Sequence, residues 1–475
     1  MQDELRQIVG AEYVLTSHVD LSVYECDAET LDVAPPEIVV LPKSTAEVAA
    51  VVRLANKYNV PFCPRGAGTG LSGGATAIFG GILLVLTRMT RVLEIDPVDR
   101  IAIAEAGATN LSISQAAEPY GLYFAPDPSS QSASTVGGNL AENAGGPHCL
   151  KYGMTTNHVL GVTVVLPDGR LTTFGGRARD QVGLDLLGVF VGSEGTLGLA
   201  TEAILKLVPR AQAVETMLAY FSSVEAGGQA VSDIVAAGVV PAAMEMIDQL
   251  TLNAVEDAHN MGLNRSAGAL LIVELDGPRA GILVHRAIVE TCLHDNGVLE
   301  VFWAKDQKER AKIWKARKSA FGALGRIAPH GYVLDGVIPR SKLAEAIRKI
   351  GEIGEKRKLI IANVYHAGDG NLHPCMLYHR DNPSEVESVL MAGREILELC
   401  VDLGGTLSGE HGIGVEKIGE MHRVFTEADM EAMGWVKHAF NPRNLCNPGK
   451  ILPTPKACGE SGGRAMLRHK LSTSC

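Results

Sequence analysis

Histidines and acids that could bind a metal or move a proton cluster in two glycine-flanked stretches of the C-terminal half. His366 and His373 are seven residues apart around a glycine-rich bend, and Glu410 directly precedes His411 on a second such loop. A tight turn between two strands could bring both imidazoles onto one ion. Two histidines and one carboxylate suit Zn²⁺, Mn²⁺ or Fe²⁺, with open positions left for water or substrate. The alternative is that these are loop histidines whose nitrogens bind backbone groups.

Glycine, which allows the backbone to approach a ligand closely, is concentrated in residues 65–75, 125–153 and 192–198. The first of these stretches contains GxGxxG, but a Rossmann site needs a helix directly after the loop, and further glycine pairs would break that helix. The Rossmann interpretation therefore fails. Successive backbone N–H groups in such a loop can still bind phosphate. Simple tight turns would explain one loop more readily than three.

Composition limits the class of protein. The chain has 475 residues, 46% of them hydrophobic and 20% charged, with a net charge of −11, so it is globular and a poor partner for nucleic acid or anionic membranes. No apolar run approaches the roughly 18 residues of a transmembrane helix, and the first residues lack the apolar region of a secretory signal. We therefore expect a soluble cytoplasmic protein whose attachment to the inner membrane, if any, is made through partners. The nine scattered cysteines indicate neither a disulfide framework nor an iron–sulfur cluster.

The elements that must position these residues fall into two regions. Near the N-terminus, a strand over 37–42 precedes a helix over 45–58, for which Ser44 and Glu47 predict a capping box. After residue 210, strand-like and helical runs alternate, which predicts an α+β domain with a helix-covered sheet. The strand-like runs are 217–221, 269–275, 298–303, 331–338, 359–366 and 372–377, and the helical runs are 226–237, 280–295, 307–325, 341–356, 384–402 and 427–440. The predicted domains are an N-terminal segment 1–34, a cofactor domain 35–212, a substrate domain 213–453 and a disordered tail 454–475.

The segments 65–74, 126–146 and 192–198 resemble the three FAD-contacting segments of the vanillyl-alcohol-oxidase type flavoproteins, and the C-terminal half resembles the FAD-linked oxidase C-terminal domain. Together they cover 35–453, and the chain is similar to the FAD-linked D-2-hydroxyacid dehydrogenase family, which includes glycolate oxidase and D-lactate dehydrogenase chains. The resemblance implies an α+β fold in which a vanillyl-alcohol-oxidase type FAD-binding domain is followed by an α+β domain with a helix-covered antiparallel sheet.

The resemblance also implies the FAD site. The implied contacts are Arg65, Gly66, Ala67, Gly68, Thr69, Gly70, Leu71, Ser72, Pro126, Asp127, Ser130, Gly137, Gly138, Asn139, Asn143, Gly145, Gly146, Gly153, Glu194, Gly195, Leu197, Gly198, Ile204 and Asn447. Some relatives attach FAD covalently through a histidine where this chain has Leu71 and Ser72, so we expect non-covalent FAD. The segment beginning at Asn447 either returns to the flavin, as in the family, or is a simple type II turn.

For the C-terminal half, the resemblance implies that His366, His373 and Glu410 bind the metal and that His411 is the base. A bound cation would make a coordinated hydroxyl more acidic, a neutral histidine is a suitable proton acceptor near neutral pH, and the α-hydride would pass to flavin N5. Arg317 is implied to bind the substrate carboxylate. The alternative is that Arg317 is one of several solvated charges on its helix.

Three departures from the family pattern bear on the substrate. Relatives that act on the dicarboxylate 2-hydroxyglutarate carry a threonine where this chain has Phe321 and a lysine where the stretch 332–334 has none. Relatives also carry an asparagine at the position of Cys375. These changes favour a small monocarboxylate with a non-polar side.

The resulting hypothesis is FAD-dependent oxidation of glycolate or D-lactate to the 2-oxo acid, with electrons passed to partner subunits, a second flavin-fold subunit and an iron–sulfur subunit. One alternative is a stand-alone D-lactate or D-2-hydroxyglutarate dehydrogenase that uses a quinone, a cytochrome or an electron-transfer flavoprotein. A metal-dependent hydrolase with a nucleotide substrate in the glycine loops is a second alternative. A non-catalytic flavin-binding subunit is a third, but such a chain should lack the histidine and glutamate set.

Overall fold

The structure, a computed structural model, describes residues 1–178 and 182–453. The tail predicted to be disordered, 454–475, lies outside the described residues. The chain divides into two compact units. Unit 1 contains Met1–Gly145, Met154–Arg210 and the chain from Glu410 onward, and unit 2 contains Gly146–Gly153 and Ala211–Gly409. No helix of the described residues is both long enough and apolar enough to cross a membrane.

The strands are numbered in chain order. They are β1 Val14–Leu15, β2 Ile38–Val40, β3 Phe62–Arg65, β4 Ile82–Val85, β5 Val92–Asp96, β6 Ile101–Glu105, β7 Leu122–Tyr123, β8 Val159–Val165, β9 Leu171–Gly175, β10 Leu199–Lys206, β11 Val208–Pro209, β12 Ala213–Phe221, β13 Ala243–Asp248, β14 Ala269–Gly277, β15 Glu300–Trp303, β16 His330–Val333, β17 Gly336–Val337, β18 Ile360–His366 and β19 Asn371–Tyr378.

The α-helices follow the same order. They are α1 Gln2–Val9, α2 His18–Ser22, α3 Thr45–Tyr58, α4 Asn110–Ala117, α5 Val136–Glu142, α6 Cys149–Tyr152, α7 Leu186–Phe190, α8 Val224–Ala236, α9 Gln249–His259, α10 Arg279–Asp295, α11 Gln307–Lys318, α12 Ala320–Leu324, α13 Leu343–Arg357, α14 Pro383–Asp402 and α15 Glu427–Phe440.

Unit 1 is built on two larger sheets, and β7 and β11 pair separately. The first has the order β1-β2-β4-β3, with β2, β4 and β3 parallel, and the second is antiparallel with the order β5-β6-β10-β8-β9. The strands β2 and β4 are buried along their whole length, as expected for parallel strands covered on both faces. Helix α3 packs its apolar side into the same core. These sheets hold the glycine-rich loops in fixed positions.

Unit 2 is an antiparallel sheet with the order β15-β12-β14-β13-β18-β19-β16, and helices pack on it. Directly paired residues share a face, so the register of Glu245 with His366, and of Val364 with His373, puts both histidines and this glutamate on one face. The other half of that face is apolar and packs against α9, α11 and α12. The helix-covered antiparallel sheet expected from the sequence is confirmed.

Several element predictions need correction. The helix expected over 307–325 is broken at Ser319 into α11 and α12, and the strand expected over 331–338 is split into β16 and β17. The strand β13 and the helix α9 were not predicted. At the start of α3, Ser44 Oγ accepts the Glu47 N–H as predicted, but the Glu47 carboxylate accepts from Lys43 N at 2.8 Å, so the reciprocal bond of a capping box is not made to Ser44.

Candidate active site

Unit 1 contains an open cavity between its glycine-rich loops. The space not filled by protein is about 610 Å³ when its open mouth is included. The cavity is lined by Pro64, Arg65, Gly66, Gly74, Ala75, Leu86, Ala106, Thr135, Gly137, Gly138, Ala141, Glu142, Phe190, Ser193, Glu194, Gly195, Gly198, Leu199 and Ala200. All three glycine-rich loops therefore contribute to its wall.

The close packing of these loops depends on small residues and side-chain caps. Gly195 has φ +68°, and a Cβ there would lie 2.4 Å from Pro64 Cγ, so only glycine allows the third loop to reach the first. Thr135 Oγ1 accepts the Gly138 N–H at 3.2 Å and caps α5. Asn447 Nδ2 donates to the carbonyl oxygens of Gly74 at 3.0 Å and of Glu194 at 2.7 Å, and so joins two of the loops.

The predicted FAD contacts are only partly the residues that line the cavity. Those that line it are Arg65, Gly66, Gly137, Gly138, Glu194, Gly195 and Gly198. The rest of the first loop from Ala67 to Ser72 does not line it, and Gly146 and Gly153 belong to unit 2. Asn447 does not line the cavity, and Gly449 has a φ of +74°, the positive φ that a type II turn needs at its third residue.

Two polar atoms of the wall suggest that the cavity is built for a polar ligand. Ser193 Oγ and Glu142 Oε2 are buried and have no hydrogen-bond partner among the described residues. Such atoms are costly unless a ligand or water satisfies them. Together with the glycine backbone of the wall, they fit a cofactor with many hydrogen-bonding groups, such as FAD.

In unit 2, the hairpin of β18 and β19 brings His366 and His373 together. The ring centroids are 5.0 Å apart with the planes nearly perpendicular. His366 Nδ1 lies 2.7 Å from Glu245 Oε1, and His373 Nδ1 lies 3.1 Å from the Leu334 carbonyl oxygen. A neutral imidazole that donates through Nδ1 carries its lone pair on Nε2, which is the usual arrangement of a metal-binding histidine.

Glu245 connects His366 to Arg317. The Arg317 Nε donates to Glu245 Oε2 at 2.6 Å, and both side chains are buried, Arg317 being 2% exposed. Burial tends to raise the pKa of Glu245, but the hydrogen bonds from His366 and Arg317 and the positive charge of the guanidinium outweigh it and hold that pKa below its ordinary value. Nε is the one nitrogen of the Arg317 guanidinium that is hydrogen-bonded to a described residue, so its two amino groups can bind an added carboxylate.

Burial also separates Arg317 from its neighbours on α11. Lys312, Lys315 and Lys318 are exposed, whereas Arg317 faces the sheet. The alternative that Arg317 is a solvated charge is therefore wrong.

Asp335 accepts hydrogen bonds from the two residues that precede Glu410. Its carboxylate is fully buried and accepts the Ser408 Oγ at 2.6 Å, the Gly409 N–H at 3.0 Å and the Asn371 amide at 2.9 Å. Ser408 and Gly409 are the two residues before Glu410. Asp335 therefore fixes the course of the backbone where the predicted ligand and base begin.

Glu410 and His411 open the C-terminal segment of unit 1, and the residues after them are fixed to the cavity wall. Glu194 accepts the backbone N–H groups of Ile413 at 2.7 Å and Gly414 at 2.8 Å. Burial raises the pKa of Glu194 to about 6 although these two bonds oppose the shift. The His411 loop is thus held by a residue that lines the cavity.

Glu245, Asp335 and Glu142 were not predicted as site residues. Glu245 had a signal, because it stands between two methionines in the middle of the buried strand β13. A carboxylate in a fully buried strand must have partners, and here these are a histidine and an arginine. Asp335 and Glu142 had no signal beyond being acids next to glycine-rich segments.

Comparison with known proteins identifies the two regions. Residues 36–175 match the model for an FAD-binding domain, and residues 210–451 match the model for the C-terminal domain of FAD-linked oxidases. The chain is 44% identical over 458 residues to the glycolate oxidase subunit GlcD of Escherichia coli K12, covering 96% of this chain and 92% of that protein. It is 34% identical over 441 residues to a D-lactate dehydrogenase of Archaeoglobus fulgidus, covering 90% and 96%.

Solved structures agree on the fold. A 4-ethylphenol oxidase from Gulosibacter chungangensis matches with a TM-score of 0.80 at 18% identity, over 96% of this chain and 97% of that one. A p-cresol methylhydroxylase matches with a TM-score of 0.78 at 16% identity, over 94% and 95%. At this identity the likeness shows the architecture and not the substrate.

Proposed function

The chain belongs to the FAD-linked oxidases and is an FAD-dependent oxidoreductase, and we propose that it oxidises a small 2-hydroxy acid, glycolate or D-lactate, to the 2-oxo acid. The family includes relatives named for each of these activities. The observation that carries the proposal is the buried Arg317, whose guanidinium is anchored to Glu245 through one nitrogen and keeps two amino groups for a carboxylate.

In this proposal FAD occupies the unit 1 cavity without a covalent bond, since Leu71 and Ser72 stand where some relatives carry the histidine that attaches FAD. When bound, FAD supplies the acceptor for the hydride that leaves the α-carbon. The glycine loops bind the cofactor through backbone N–H groups, and Ser193 and Glu142 supply polar contacts at the wall.

Two residues, Arg317 of unit 2 and His411 of unit 1, act on the substrate. Arg317 binds the carboxylate with its planar, forked guanidinium, which matches carboxylate geometry. His411 accepts the proton of the 2-hydroxyl, since a neutral imidazole is a competent acceptor near neutral pH. Burial of the arginine strengthens its attraction for the carboxylate and excludes water.

We further propose that His366 and His373, with Glu410, hold a divalent metal, which supplies Lewis-acid polarisation of the hydroxyl when bound. The fit of the residues is supported by the Nδ1 hydrogen bonds of both histidines. Zn²⁺, Mn²⁺ and Fe²⁺ all suit such a donor set.

Glu245→Gln tests this metal proposal. The amide keeps the shape of the side chain but removes the negative charge behind His366, so metal affinity should fall about 10- to 100-fold. Chelator competition followed by metal analysis measures the loss. Glu300→Gln, an exposed carboxylate of the same sheet, is the matched control. Equal metal affinity in Glu245→Gln and the wild type would contradict the role of Glu245.

The substrate is tested by anaerobic mixing of the protein with glycolate, D-lactate and D-2-hydroxyglutarate. Phe321 and Cys375 are apolar or weakly polar and pack in the core with Val333. We therefore expect a monocarboxylate to bleach the flavin fastest and the dicarboxylate to be slowest, because a second carboxylate would be desolvated without a cation. Fastest bleaching by D-2-hydroxyglutarate would support the alternative of a 2-hydroxyglutarate dehydrogenase.

The electrons are proposed to leave through partner subunits, a second flavin-fold subunit and an iron–sulfur subunit. The support is that relatives are named as subunits of glycolate oxidase. Within residues 1–178 and 182–453 no group of cysteines lies close enough together to bind an iron–sulfur cluster. A stand-alone dehydrogenase that reduces a quinone, a cytochrome or an electron-transfer flavoprotein is the alternative, supported by the D-lactate dehydrogenase relatives.

A further inference from the structure

Glu142 is an acid in the cavity wall that takes no part in the proposed proton transfer. It is the last residue of α5, its side chain borders the cavity, and its Oε2 is buried without a hydrogen-bond partner among the described residues. An ionised carboxylate that is buried without a hydrogen-bond partner would cost free energy. A protonated carboxyl group would instead offer an O–H donor, which needs an acceptor.

The carboxyl group lies between two glycines that leave room for it. A Cβ on Gly74 would lie 2.6 Å from Glu142 Oε1, and a Cβ on Gly412 would lie 2.5 Å from Glu142 Oε2. The same Cβ on Gly412 would lie 2.8 Å from Glu194 Oε1. Glu142 and Glu194 therefore meet at Gly412 as a buried carboxyl pair.

The two members of this pair differ in their partners. Glu194 accepts two backbone N–H groups, which favours its ionised form. Among the described residues, no N–H group donates to Glu142 Oε2. When two carboxyl groups share a site, the one with fewer donors keeps the proton.

The charges around Glu142 do not reverse this assignment. Burial is the main reason that the pKa of Glu142 stands well above its ordinary value, and negative charge on Glu194 and Asp27 adds to the effect. The ammonium groups of Lys417 and Lys450 oppose it without reversing it. Both lysines are buried and already engaged, Lys417 with Glu416 and the Gly412 carbonyl, and Lys450 with the Thr76 carbonyl at 2.6 Å.

We propose that Glu142 is a neutral carboxylic acid that donates a hydrogen bond to an acceptor atom of the bound FAD, with Glu194 as the ionised member of the pair. This role needs the cavity to be the FAD site, but it does not depend on which 2-hydroxy acid is oxidised. A hydrogen bond donated by the protonated Glu142 makes the affinity for FAD depend on pH. A bound acceptor stabilises the protonated acid, so affinity for FAD is highest at low pH and falls as the pH rises through the pKa of Glu142.

The test is the FAD dissociation constant of the holoprotein from about pH 6.5, where Glu194 is ionised, to about pH 9, measured by the fluorescence of released flavin. The wild type should lose affinity toward high pH. Glu142→Gln keeps a donor and cannot ionise, so it should bind FAD with wild-type low-pH affinity at every pH. Glu142→Ala should bind about tenfold more weakly even at low pH, since the hydrogen bond is absent. Glu202→Gln, a carboxylate of β10 outside the cavity, should retain the wild-type profile.

Three results would overturn the inference: a wild-type affinity that does not change with pH, a Glu142→Gln profile that still follows the wild type, or weak binding by Glu142→Gln at every pH. Circular dichroism and thermal melting of each variant show whether it has folded. Bleaching of the flavin by substrate in these variants would leave the proposed function standing when this inference fails.

Discussion

Replacing His411 by alanine should slow reduction of the flavin by substrate about 100- to 10,000-fold while FAD stays bound. The imidazole is proposed to accept the hydroxyl proton as the hydride leaves, and no other group would perform that transfer as well. FAD should remain because Glu194 fixes the loop through the backbone of Ile413 and Gly414, which the substitution leaves intact. Anaerobic stopped-flow absorbance measures the rate.

The control is His438→Ala, which removes an exposed histidine of α15 in the same unit. It should reduce at the wild-type rate. A His411→Ala protein with FAD bound and an undiminished rate of reduction would eliminate His411 as the base.

Arg317→Ala should raise the KM for the 2-hydroxy acid by about 30- to 1,000-fold, which corresponds to about 2–4 kcal/mol for a desolvated charge pair. The guanidinium is buried, so the carboxylate would lose a partner that water cannot replace. Steady-state kinetics over a range of substrate concentrations separate this effect from a change in kcat. Lys315→Ala, an exposed position on the same helix, should leave KM unchanged.

The alanine variant also removes a partner of Glu245, so its stability must be measured alongside its kinetics. Arg317→Lys keeps a positive charge near Glu245 but lacks the forked geometry. It should fold like the wild type and still bind the carboxylate poorly. A wild-type KM in Arg317→Lys and in a folded Arg317→Ala would mean that another residue binds the carboxylate.

Helices with a capping residue and regular apolar spacing could be predicted from the sequence. The Ser44 cap and the apolar spacing after it give α3 its bounds of 45–58, and the helix over 427–440 is found as predicted. The break at Ser319 had no such signal, because neither glycine nor proline stands there. The strand β13 was not predicted because a short, mostly apolar run cannot be told from a buried helix segment by its periodicity.

Site residues that are close to one another in the sequence could be predicted. His366 and His373 belong to one hairpin, so their spacing was enough to bring the rings together. Arg317 and Glu245 come from different elements of unit 2, and their contact depends on the register of β13 with β18 and on how α11 packs. Pairings over such separations are set by tertiary structure, which one sequence does not reveal.

Oxidation of a 2-hydroxy acid by the FAD bound to this chain can be observed in the visible spectrum. The spectrum of the oxidised holoprotein is recorded before and after anaerobic addition of glycolate or D-lactate, and the 2-oxo acid is quantified. We expect one of the acids to bleach the flavin bands, with one 2-oxo acid formed for each flavin reduced. Flavin bands that no 2-hydroxy acid changes, although a chemical reductant bleaches them, would contradict this expectation.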